Sequence, residues 1–132
     1  MLLVCCMLLS MLPGLNVTAF AASPEGDFTV DDAGVITDYT GDGGAVDIPD
    51  TVGGAAVTGI DAYAFSFGYC NAEITEVTIP AGVDSIGAYA FLGQELTKVT
   101  FMGRCSDIDF DAFDSMDGFT VHCRPADSYY YE

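Results

Sequence analysis

Apolar and polar positions alternate in four short runs of the chain. They are Val46-Asp47-Ile48-Pro49, Val77-Thr78-Ile79-Pro80, Val99-Thr100-Phe101-Met102 and Val121-His122-Cys123-Arg124. A period of two predicts short, half-buried β-strands. Val46, Ile48, Val77, Ile79, Val99, Phe101, Val121 and Cys123 are expected to point inward, and Asp47, Thr78, Thr100 and His122 outward. Pro49 and Pro80 lack an amide donor and end their strands. No stretch shows a sustained helical period, so little helix is expected.

A second landmark runs in phase with the first. Ile60-Asp61-Ala62-Tyr63-Ala64-Phe65, Ile86-Gly87-Ala88-Tyr89-Ala90-Phe91 and Ile108-Asp109-Phe110-Asp111-Ala112-Phe113 share an Ile followed by Ala-Phe four and five residues later. The valines that open the four runs are spaced by 31, 22 and 22 residues, and the three phenylalanines by 26 and 22. One unit of about 22 residues cannot close a core alone, so the units must stack. The expected fold is a β-rich solenoid, a short stack of parallel strands with Phe65, Phe91 and Phe113 in an internal column. The residues around Gly53-Gly54-Ala55-Ala56 and Ser66 to Ala72 account for the longer first step.

The ends read differently. Residues 1–12, MLLVCCMLLSML, carry no charge and match the length of a secretory apolar core. Pro13-Gly14 breaks that run, and Ala19-Phe20-Ala21 offers small residues for cleavage before Ala22. Residues 1–21 are therefore expected to be a signal peptide, with no membrane span left after its removal. Phe28-Thr29-Val30 and Val35 to Tyr39 flank Asp31-Asp32-Ala33-Gly34, a pattern that predicts a hairpin with Gly34 at positive φ. Residues 22–45 are expected to cap the open end of the stack, residues 46–125 to form the coils, and residues 126–132 to be a partial coil or tail.

Charge narrows the range of partners. Twenty acids against three bases give a formal net charge of -17 at pH 7. This balance argues against nucleic acid, because phosphate binding needs clustered cations. A basic partner is favoured, with binding weakened by salt. An apolar fraction of 51% argues against simple disorder.

The combined motif V-x-I-P, an aliphatic residue three places on, then I-G-x-x-A-F, resembles the BspA-type leucine-rich repeat. Val77 to Pro80, Val83 and Ile86 to Phe91 carry it best, and the resemblance spans roughly residues 28 to 125. It implies a right-handed leucine-rich-repeat stack in a secreted or cell-surface protein of bacteria or some protists. It also implies adhesion, or binding of host or neighbouring-cell proteins. The third coil departs from the pattern, with Phe101-Met102 in place of Ile-Pro and Asp109 in place of Gly.

Candidate chemistry is sparse. Asp107, Asp109 and Asp111 open like a calcium loop and are weak Ca²⁺ candidates. However, the sixth position is Ala112 and the twelfth Gly118, where that loop needs Gly and Glu. The acids are read as a solvated rim, and no metal site is assigned. Cys105 and Cys123 are a possible disulfide across one coil boundary, the alternative being two buried thiols. His122 lacks an evident nucleophile and orienting acid, and no nucleophile elbow or phosphate loop occurs. The chain is thus read as non-catalytic and without a cofactor. The expected function is an extracellular module that binds a protein or glycan through Asp47, Thr78, Thr100 and His122. The alternatives are a display or spacer repeat of a larger surface protein and, ranked below it, a secreted hydrolase.

Overall fold

The computed structural model describes residues 23–114, Gly118 and residues 120–123, the Cys123 side chain excepted. The expected signal segment 1–21 and the tail 126–132 lie outside the described residues. In chain order the strands are β1 (Phe28–Val30), β2 (Val35–Tyr39), β3 (Gly44–Asp47), β4 (Thr51–Val52), β5 (Ala55–Ala56) and β6 (Gly59–Ile60). They continue with β7 (Ile74–Ile79), β8 (Ser85–Ile86), β9 (Lys98–Phe101), β10 (Asp107–Ile108) and β11 (Thr120–Cys123). Helix among the described residues is confined to one 3-10 turn, Glu25–Asp27.

The chain winds as a solenoid. One sheet has the order β1-β2-β6-β8-β10, and the facing sheet has the order β11-β9-β7-β3. Each coil contributes one strand to the first sheet and the next strand to the second, giving the coils β2–β3, β6–β7, β8–β9 and β10–β11. Pairing between coils is parallel throughout, with Ile36 beside Ile60, Ile60 beside Ile86, and Ile86 beside Ile108. In the second sheet Val46 pairs with Val77, Val77 with Val99, and Val99 with Val121. Because side chains alternate along a strand, this register puts one apolar row per sheet into a common interior.

The core is filled by those rows and by the aromatic column. Phe65 and Phe91 stack with ring centroids 5.1 Å apart and planes 8° from parallel, and Phe91 and Phe113 stack at 5.1 Å and 2°. Tyr39 extends the column toward the hairpin, 5.3 Å from Phe65. The Ala before each Phe is buried because the turn backbones dock directly on one another. The Phe65 N–H donates to the Ala90 carbonyl at 2.8 Å and the Phe91 N–H to the Ala112 carbonyl at 3.0 Å. A larger side chain at Ala64, Ala90 or Ala112 would hold those backbones apart.

Three features refine the sequence reading. First, β1 and β2 form the antiparallel hairpin with Gly34 at φ 84°, and β2 also pairs in parallel with β6. One strand therefore serves both the hairpin and the first coil. Second, the extra residues of the first step include a small antiparallel ribbon, β4 with β5. Third, Val121, expected inward, is 36% exposed. It stands at the end of its row, and among the described residues no further coil lies over it.

Candidate functional site

The outward positions of the second sheet form two rows. Strand register aligns Asp47 with Thr78, Thr78 with Thr100, and Thr100 with His122. The parallel row beside it is Ala45, Glu76, Lys98 and Thr120. The four residues singled out from sequence are thus brought onto one face. Glu76 and Lys98 complete it. Sequence reasoning passed over both, although each sits two residues before a named position and must share its face.

A depression of about 700 Å³ lies on this face, lined by Asp47, Asp50, Glu76, Thr78, Lys98 and Thr100 among others. Pro49, Pro80 and Met102 supply an apolar border. His122 does not line it; it is exposed and continues the row past the depression. Its polar groups are the carboxylates of Asp47, Asp50 and Glu76, the hydroxyls of Thr78 and Thr100, and the Lys98 cation, set in a largely apolar surface. Burial, and then the neighbouring Asp50 carboxylate, push the Asp47 carboxyl above the usual carboxylate range. Its backbone is anchored by Ser23, whose Oγ accepts the Asp47 N–H at 3.0 Å and whose N–H donates to the Asp47 carbonyl at 2.9 Å. Such a face can make hydrogen bonds and ion pairs to a partner laid across it.

The other candidates behave as local structure. Asp107 and Asp109 are exposed, and the Asp109 carboxylate accepts the Asp111 N–H at 3.0 Å. Among the described residues no group of three or more His, Cys, Asp or Glu side chains is placed to hold a metal ion. Cys105 is a buried free thiol, and burial pushes its pKa up. The Cys123 side chain, the other half of the possible disulfide, lies outside the described residues. Cys70 is also a buried free thiol, donating toward the Phe65 and Ala72 carbonyls at 3.7 and 3.5 Å. Among the described residues no helix is long and apolar enough to cross a membrane.

Comparison with known proteins agrees with the architecture. Neither the curated proteins nor the solved structures searched yield a match to the chain. The family model described as BspA type leucine rich repeat region, in 6 copies, matches residues 48–123, from the residue after β3 to the last residue of β11. With coil length, V-x-I strands and Ala-Phe turns all in agreement, the chain belongs to the BspA-type leucine-rich repeat family.

Proposed function

We propose that this protein is a non-catalytic extracellular binding module, which recognises a protein or glycan through the outward face of the β3–β7–β9–β11 sheet. The family's repeats serve generally in binding or adhesion. The observation that carries the reading is the depression over that sheet, where Asp47, Glu76, Thr78, Lys98 and Thr100 converge from three successive coils. A parallel stack holds these side chains at fixed spacing, so a partner meets a preorganised surface. The excess of carboxylates there favours a partner with complementary positive charge. We further propose that residues 1–21 direct export and are removed, and that residues 22–45 act as the cap of the stack.

The test is capture of partners from host and bacterial surface extracts by residues 22–132, repeated with a Thr78→Ala/Thr100→Ala/Glu76→Ala triple variant. Loss of the captured species with unchanged thermal unfolding supports the assignment. Undiminished capture moves the binding surface elsewhere.

A further inference from the structure

The turns that follow β6 and β8 carry a feature that the repeat motif does not explain. Tyr63 and Tyr89 occupy equivalent positions in successive Ala-Phe turns, both in the left-handed region at φ 62° and 57°. Aromatic residues are uncommon at positive φ. Inter-coil hydrogen bonds hold both residues there. The Tyr63 N–H donates to the Ala88 carbonyl at 3.3 Å and the Tyr89 N–H to the Asp111 carbonyl at 3.0 Å. Their rings turn outward and stack, with centroids 5.4 Å apart and planes 25° from parallel. Tyr69, from the loop after Phe65, leans on Tyr63 at 5.7 Å and 44° and is 70% exposed.

These rings do not stand on a flat surface. Tyr63 and Tyr69 wall a cleft of about 400 Å³, whose other lining residues are Thr37, Asp38 and Ala62. Thr37 and Asp38 come from β2, and the parallel pairing of β2 with β6 brings them beside the tyrosines. The cleft is therefore lined by two tyrosines, the more exposed being Tyr69, with one carboxylate and the Thr37 hydroxyl, which also donates to the Thr29 carbonyl at 3.3 Å. Asp111 lies close enough to Tyr89 to raise its phenol pKa, so the rim of the ring stack is negative as well. None of these residues lines the depression on the other sheet.

We infer that the Asp38–Tyr63–Tyr69 cleft is a second binding site that takes an arginine side chain of a partner protein. A guanidinium is flat, stacks on aromatic faces and offers paired donors to a carboxylate at the same time. A lysine ammonium can meet the carboxylate but cannot stack flat on the rings. A net charge of -17 raises the local concentration of cationic segments around the whole molecule. An anion or an acidic peptide is disfavoured by the same field.

The experiment is a titration of the isotope-labelled full chain at low salt with acetyl-Gly-Arg-Gly-Arg-Gly-amide, followed by amide chemical shifts and calorimetry. Shifts should concentrate on residues 37–38, 62–63 and 69. Tyr69→Ala and Asp38→Asn should each weaken binding at least fivefold, and Tyr69→Phe should retain it. Glu95→Gln, an exposed charge change outside both faces, should leave it unaltered. The lysine analogue of the peptide should bind several-fold more weakly. Equal loss in Asp38→Asn and Glu95→Gln would mean a diffuse field effect and overturn the site. Unchanged binding by Tyr69→Ala would do the same. Equal affinity for the lysine peptide, or Tyr69-dependent binding of cellohexaose that the arginine peptide does not displace, would overturn the guanidinium assignment. Because the two surfaces share no residue, each of these results is separable from failure of the β3–β7–β9–β11 face.

Discussion

The Gln94 side-chain carbonyl accepts the Ile74 N–H at 2.7 Å, although the two residues lie on different coils. The same carboxamide donates to the Phe65 carbonyl at 2.7 Å and to the Ala72 carbonyl at 3.0 Å. Gln94 is only 3% exposed, so these are interior hydrogen bonds that tie down both ends of the 66–72 loop. Gln94→Ala leaves a buried donor and buried acceptors poorly served, at a cost of roughly 3 kcal/mol. Urea unfolding measures it. A loss below about 1 kcal/mol would mean that water replaces the carboxamide.

Phe91 is wholly buried between Phe65 and Phe113. Phe91→Ala removes two stacking contacts and opens a cavity in mid-column, with an expected loss of about 3–5 kcal/mol. Phe91→Leu keeps much of the volume and should cost distinctly less. Denaturation midpoints for the two variants should fall in that order.

Gly87 opens the second Ala-Phe turn at a point of close approach. A Cβ there would lie 2.6 Å from the Ala62 nitrogen and 3.0 Å from the Asp61 carbonyl carbon. The Gly87 N–H meanwhile donates to the Ile60 carbonyl at 2.8 Å, so the backbones cannot separate without breaking that bond. Gly87→Ala should therefore destabilise by about 1–3 kcal/mol, although alanine stiffens an unfolded chain. A neutral or stabilising result in thermal melts would show that the coils can part without cost.

Asp47 sets a pH signature. Its pKa in the fold is raised above the ordinary 3.8, by burial first and Asp50 second. The folded state therefore holds the proton more tightly than the unfolded chain does. The stabilisation from the bound proton is full below pH 3.8 and lost as pH rises through the folded-state value. Asp47→Asn, which resembles the protonated side chain, should raise the melting temperature at pH 7. It should give no advantage at pH 3. A gap of equal size at both pH values would assign the effect to something other than titration.

The winding and its aromatic column were legible because both strand and turn leave marks at the same interval. Val77, Val99, Phe91 and Phe113 could be placed from spacing alone, since a parallel stack turns sequence interval directly into spatial neighbourhood. The second face was readable only in part. Asp47, Thr78, Thr100 and His122 follow from alternation, but the depression also depends on Asp50, Pro80 and Met102 where the chain leaves each strand. The tyrosine cleft was not legible. Asp38 sits in the hairpin, which lacks the Ala-Phe landmark, and only the pairing of β2 with β6 brings it near Tyr63. Gln94 was equally hidden, because a polar residue between Gly93 and Glu95 reads as surface until the 66–72 loop is seen to fold around it.

The constant offset between β7, β9 and β11, matched between β8 and β10, bears on how such a chain can change length. Val77, Val99 and Val121 are each 22 residues apart, as are Ile86 and Ile108. Duplicating or deleting a whole repeat keeps every remaining rung in place and moves the far end by about 4.8 Å. An indel of one residue within a strand would instead turn its interior row toward solvent. Viable length variants of this protein should consequently be quantised, with odd-sized insertions confined to bulging loops like the one that carries Tyr69.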